Sequence, residues 1–292
     1  MSWNFFSVAY SSNRVGWPGH LLAVPDEAAK NYIPKDIISG EGADEQRNIF
    51  GKNVDDPEMR YSEHEKQMLF RLDESWGESG DPLINTGIEE TQKMRFLHGS
   101  NWDVQKAMGG LRRYAEWRNG QRTSVDQAPD RMSQDCWLYF YGKDRNHRPV
   151  MVIDCALLLE KRGDTHSLNF VQDTLVEAMT YFVDHLSVPG HVEQVVVVAD
   201  MNGCSSWNTP IEEMEKCAIT LASRFRGRLN KLFILNVPLV FYAFWSIIQV
   251  FIPLRTLSKI HIHRSEYMQE LLKFISDDQI DPVLLREPRQ SN

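Results

Sequence analysis

This chain of 292 residues predicts an α/β fold, a mainly parallel β-sheet covered by helices and preceded by a small all-α unit. Three observations carry that prediction. Val195-Val-Val-Val-Ala199 is an unbroken β-branched run, the mark of a parallel strand covered on both faces. Strand-like runs and helical periods alternate from Trp137 to Ile275, the pattern of parallel strands joined by crossover helices. Ahead of them, Ser62 to Trp117 shows helical periodicity alone.

Residues 1–60 mix Ser, Asn, Gly, Pro and acidic residues without a sustained period, and read as an arm or poorly ordered leader. Ser62 followed by Glu65 is a capping box, and Met68, Phe70, Leu72 and Trp76 continue the helix it opens. A second helix runs through Glu89–Leu97. A third starts after Asp103 and places Val104, Ala107, Met108, Leu111, Tyr114 and Trp117 at three-to-four spacing. These helices form a unit over 61–125, and residues 126–292 form the sheet domain.

In that domain, Trp137–Tyr141 and Val150–Asp154 read as strands joined by the polar turn at 142–149. Leu168, Val171, Leu175, Met179, Phe182 and Leu186 mark a long amphipathic helix. After the valine strand come a helix over 210–225, a strand at Leu232–Leu235 and an apolar helix over 237–252. A strand over 258–263 and a helix over 266–275 complete the pattern.

Charge is unevenly spread. Between Lys216 and Ser265 stand eight Lys and Arg and no acid, so with a total of -8 the rest of the chain carries -16. That acidic excess argues against nucleic acid as the main partner. The basic stretch encloses the apolar helix, a pairing that suits a transient visit to an anionic membrane surface. Arg224, Arg226 and Arg228 are the candidate membrane contacts, the alternative being a solvated loop paired with acidic residues. At ~1.5 Å per residue the apolar helix is roughly 24 Å long, too short for the ~20 apolar residues a bilayer core needs. With no basic, apolar leader in Met-Ser-Trp-Asn-Phe-Phe, a cytoplasmic protein with peripheral membrane association is expected. Cys136, Cys155, Cys204 and Cys217 lack metal-type spacing and are expected to be reduced and buried.

Enzyme signatures are weak. Cys204-Ser205-Ser206 has no nucleophile elbow, and neither a P-loop nor a dinucleotide fingerprint is present. Asp200 is expected to satisfy backbone groups before Gly203 rather than to catalyse. His261 and His263 would share a strand face, but no third ligand is evident, so no metal site is expected.

The order of motifs resembles the CRAL-TRIO lipid-binding and lipid-transfer family, across roughly residues 90–275. Arg95-Phe96-Leu97, Trp102-Asp103-Val104, Ala107 and Trp117-Arg118 are similar to its N-terminal helical motif, and Lys143-Asp144 through Arg148-Pro149-Val150 to its first hairpin. Ala199-Asp-Met-Asn-Gly203 resembles a strand end, and Arg228-Leu229, Lys231-Leu-Phe-Ile234 and Asn236-Val-Pro238 resemble the central strand and the turn into a gate helix. Phe251-Ile-Pro253 and Thr256-Leu-Ser-Lys-Ile260 are similar to the segment after the gate.

The resemblance implies a gate helix over an apolar pocket, a bound phospholipid or other lipid as the only cofactor-like ligand, and no chemistry. It implies transfer or presentation of that lipid between membranes, or else a lipid-regulated protein-interaction scaffold of the same fold. By the same resemblance, Thr256 and Lys259 stand where phosphatidylinositol-binding members hold the head group. Ser100 and Gly227 stand in place of that set's Arg and Glu. Phe140, Met151, Val195 and Val197 occupy the positions of the phosphatidylcholine set, and none offers a strong hydrogen bond. Phe241, Phe244, Trp245 and Ile248 would line or cover the pocket.

Overall fold

The computed structural model describes residues 23–33, 50–51, 61–80, 88–120, 137–164, 169–204, 211–252 and 254–285. The α/β architecture expected from the sequence is present. Five strands, β1 (Leu138–Lys143), β2 (Pro149–Asp154), β3 (Val195–Asp200), β4 (Leu229–Leu235) and β5 (Ile260–Ile262), lie side by side in chain order. β1 pairs with β2 antiparallel, and the remaining pairs are parallel.

The described parts of the 1–60 segment pack against the rest of the protein. Ala23, Ala29 and Phe50 are buried. Helix α1 (Glu27–Lys30) starts at Asp26, whose carboxylate accepts from the Ala29 amide at 2.8 Å and pairs with Lys143 at 2.6 Å. Phe50 and Gly51 donate their amides to the Glu193 carboxylate at 2.8 and 2.6 Å, so this stretch of backbone is satisfied inside the protein. Local composition could not announce a partner lying more than a hundred positions away.

Helices α2 (Glu63–Glu78), α3 (Glu90–Gly99) and α4 (Val104–Gly120) make the N-terminal unit. Ser62 and Glu65 form the expected capping box. The unit's core joins Leu72, Trp76, Met94, Phe96, Leu97 and Leu111 with Phe50. The passage from this unit into the sheet domain falls in 121–136, outside the described residues.

In the sheet domain, α5 (Cys155–Asp164) was not foreseen. Its apolar run Ala156-Leu-Leu-Leu159 is too short to display a period, and it starts where the Asp154 carboxylate accepts the Leu157 amide at 2.8 Å. α6 (Phe170–Tyr181) and α7 (Ile211–Arg224) follow, and the long helix expected to Leu186 widens into a π turn over Phe182–Leu186. The apolar helix expected over 237–252 is α8 (Leu239–Ile248), begun by Pro238 and ended by a tight turn at Gln249–Phe251. A single turn α9 (Leu254–Leu257) and helix α10 (Met268–Phe274) complete the order.

Alternation along the strands separates two apolar layers. Val150, Val152, Val196, Val198, Phe233 and Leu235 point toward Tyr267, Leu271, Ile275, Ile280 and Leu284. Met151, Ile153, Val195, Val197, Ala199, Leu232 and Ile234 belong to the clusters formed with α6 on one side and α8 on the other.

Candidate functional site

The turn into α8 is set by Asn236, which adopts a left-handed backbone (φ 55°). Its amide side chain donates to the Asp200 carboxylate at 2.8 Å, and the same oxygen accepts the Asn202 amide at 2.9 Å. Asp200 therefore organises the strand end, as expected, and also fixes the entry to α8.

Beneath α8 lies an apolar cluster of Cys155, Ala199, Met201, Cys204, Ile234, Val237 and Phe241, with Trp245 packed against it. Phe241 and Trp245 stack nearly parallel (6.3 Å, 12°). On the outer side of the helix Leu239, Tyr242 and Phe244 are exposed, and so are Val250 and Leu254 just after it, Leu254 to 83%. Of the expected gate residues, then, Phe241 and Trp245 point into the protein and Phe244 points away. The side chain of Ile248 lies outside the described residues.

Phe140, Met151 and Val197 come together as one cross-strand row, since Phe140 pairs with Met151, Met151 with Val197 and Val197 with Leu232. All three side chains are buried in the cluster shared with α6, and Phe140 leans on Tyr181 at 6.3 Å. Leu232 and Ile153 touch both this cluster and the one under α8, so the apolar interior is continuous from α6 to α8.

The positions tied to head-group recognition gather at the other end of β4. Lys259 donates to the Leu229 carbonyl at 2.8 Å, and Thr256 is half-buried one turn earlier. Ser100 accepts from the Arg226 guanidinium at 3.2 Å, so a guanidinium reaches that position from the opposite direction. Gly227 is left-handed (φ 71°), and a Cβ there would meet Phe50 at 3.0 Å and Arg95 at 3.3 Å. A longer side chain would be strained by the backbone and would have to displace these neighbours. The docked Phe50 takes the space that a Glu would need.

The three arginines expected at a membrane are half-buried and also make contacts within the protein. Arg228 donates to the Glu193 carbonyl at 3.0 Å, and its burial, with Arg95 nearby, pushes its pKa down to about 9, so it stays cationic at neutral pH. Arg226 lies over Phe96 at 4.9 Å, and Arg224 over Trp117 at 5.3 Å. The partners of all three, two aromatic rings and one backbone carbonyl, come from distant segments, which the basic run could not reveal.

Glu193 is the residue that sequence reasoning missed. It pairs with Arg95 in the interior and also accepts the Gly190 amide at 2.9 Å. Burial alone would raise its pKa, but Arg95, then Arg228 and the amide donors, hold it below the ordinary value. Burial pushes the Cys204 and Cys217 thiols up to about 12 and the Cys155 thiol up as well, so at neutral pH they are protonated. Among the described residues no cluster could hold a metal ion, and no helix is long and apolar enough to cross a membrane.

The chain is 23% identical over 212 residues to a phosphatidylinositol/phosphatidylcholine transfer protein of Arabidopsis thaliana, SFH11, covering 65% of this chain and 55% of that protein. It is 24% identical to the SEC14 cytosolic factor of Yarrowia lipolytica, covering 65% of this chain and 42% of that one. The chain thus spans about half the length of the curated relatives it matches. The crystal structure of Sfh5 superposes with a TM-score of 0.52 at 15% identity, over 72% of this chain and 83% of that one, which supports the fold. The family model described as CRAL/TRIO domain matches residues 134–282, just over half of the sequence, and the chain belongs to that family.

Proposed function

We propose that this protein holds one lipid in the apolar interior between the sheet, α6 and α8, and transfers or presents it at membranes without chemical turnover. The observation that carries the reading is the state of α8. It rests on the interior through Phe241 and Trp245 while leaving Leu239, Tyr242, Phe244, Val250 and Leu254 exposed around it. Such a face loses little by leaving water for the acyl region of a bilayer. Family membership and the transfer proteins among the relatives support the same reading.

Energetics favour a carrier. Exposing ~30 lipid methylenes to water at ~0.8 kcal/mol each costs more than ~20 kcal/mol. Moving them from bilayer to apolar pocket exchanges like for like, so that cost largely cancels. Selectivity then rests with head-group contacts, and here Ser100 and Gly227 replace an Arg and a Glu. The same replacement favours a second reading, a lipid-regulated scaffold that moves nothing.

Transfer of a labelled phospholipid between vesicles separates the two, with mass spectrometry of lipid extracted from the purified protein to name the cargo. We expect lipid transfer, and its loss in Trp245→Asp with the N-terminal unit still folded. Absence of both cargo and transfer in the intact protein sinks the carrier reading.

A further inference from the structure

We infer that a small arginine-lined cleft between the N-terminal helical unit and the sheet domain is a binding site for a phosphate group, separate from the interior beneath α8. Its walls come from α4 (Tyr114, Trp117, Arg118), the end of α6 (Thr180 and Val183) and the loop after α7 (Arg224, Phe225, Arg226, Arg228), with Gln92 at the side. No residue of α8, and none of Ser100, Gly227, Thr256 or Lys259, lines it. The cleft encloses about 40 Å³, room for roughly three waters or one compact anion.

Three features point to an anion. First, four arginines and, among the described residues, no acidic residue line the cleft. Guanidinium forks match phosphate oxygens in geometry as well as charge. Second, the interior behind the cleft already holds more cation than anion. Arg95 pairs with the Glu193 carboxylate while Arg228 reaches only the Glu193 backbone carbonyl, and two nitrogens of Arg95 are buried without a hydrogen-bond partner. An anion in the cleft would offset that surplus at short range, where water screens little. Third, the cleft contains further donors. The Tyr114 hydroxyl and the Gln92 amide make no hydrogen bond among the described residues, and Arg118 is exposed at the mouth.

The aromatic lining keeps the cations in place before any ligand arrives. Arg224 lies over Trp117, which packs edge-on against Phe225 at 5.6 Å, and Arg226 is held by Phe96 and Ser100. Ordering four long side chains is a large part of the entropic cost of binding an anion, and part of that cost is met in folding. Because the cleft joins α4 to α6 and to the loop after α7, an occupant would also tie the helical unit to the sheet domain.

The phosphate could be carried by a soluble molecule or displayed on a lipid head group, and the experiment has an arm for each. The full chain is titrated calorimetrically with inorganic phosphate and inositol 1-phosphate against sodium chloride of equal ionic strength. It is also cosedimented with phosphatidylcholine vesicles containing phosphatidylinositol 4-phosphate, or phosphatidylserine at matched charge. We expect saturable phosphate-specific binding in at least one arm. Arg118→Gln combined with Arg224→Gln, both away from the buried Glu193 pair, should weaken it about tenfold at an unchanged melting temperature. Tyr114→Phe, which keeps the packing, should weaken it about threefold and serves if the double variant does not fold. Binding of soluble phosphate marks a free ligand, and binding confined to the phosphoinositide vesicles marks a head group. The inference is overturned if neither arm exceeds its chloride or phosphatidylserine control, or if both variants bind like the parent. Phosphate binding is read here without lipid transfer, so either result stands apart from the fate of the carrier proposal.

Discussion

Helices α6 and α8 pack over the same face of the sheet and are held very differently. α6 has twelve residues, and eight of them are buried, including Leu175, Val176, Ala178 and Met179. α8 has ten residues of higher mean hydropathy, yet Phe241 is its buried apolar residue among those described, with Trp245 half-covered beside it. Hydrophobicity alone therefore does not anchor a helix. Anchoring depends on how much of the apolar face finds protein to cover it, and most of α8 has found none. Local opening free energy scales with such buried contact, so α8 lies near the low end of the stability range and α6 near the global value.

The sharpest way to break this comparison lies beside the anchored side, at Glu193. Replacing it with Gln leaves Arg95 buried without a counter-charge, which costs about 3–5 kcal/mol. A denaturant titration measures the loss, and a change below about 1 kcal/mol would show that the pair does not hold the domains. The pH dependence follows with a definite sign. The folded pKa of Glu193 is lowered from 4.5, so its contribution is full above the unfolded value and lost as pH falls toward and through the folded one. Stability should decline on acidification below about pH 4.5, less steeply in the Gln variant.

Next in size is a matched pair of truncations. Leu175→Ala removes a fully covered side chain and should cost about 2–5 kcal/mol. Leu239→Ala, on the exposed side of α8, should change stability by less than about 0.5 kcal/mol. Equal losses at the two positions would mean that α8 is as firmly seated as α6, and the reading of it as a movable cover would fall.

The fold could be read from the sequence wherever the signal was local. Ser62 and Glu65 announce a helix start because both partners of the capping box stand three positions apart. Val195 to Ala199 announce a covered strand because every side chain must be buried. The candidate site was legible in part: the row Phe140–Met151–Val197 does assemble, and Asp200 does hold its turn. What escaped was long-range. Phe50 and Glu193 are 143 positions apart, and neither the docking of the leader nor the closure of Gly227 follows from any periodicity. Arg224, Arg226 and Arg228 look like a simple basic patch in one dimension and in three line a cleft with Tyr114 and Trp117, which no local pattern announces.

That last difference resets the expected role of salt. Eight cations in a stretch without acids suggest strong attraction to anionic lipid, at about 1 kcal/mol for each one near the surface. Most of these eight are engaged within the protein: Arg226 with Ser100, Arg228 with Glu193, Arg255 with the His98 carbonyl, Lys259 with the Leu229 carbonyl, and Lys216 with Glu212. Arg264 stays exposed near the strand end. Attraction by one or two cations predicts that raising salt weakens vesicle binding only about five- to thirtyfold, with the exposed apolar side chains of α8 and Leu254 carrying the remainder. Cosedimentation with anionic vesicles across a salt series tests the division. A loss of binding by several orders of magnitude would show that the basic stretch, rather than the apolar face of the gate, is what meets the membrane.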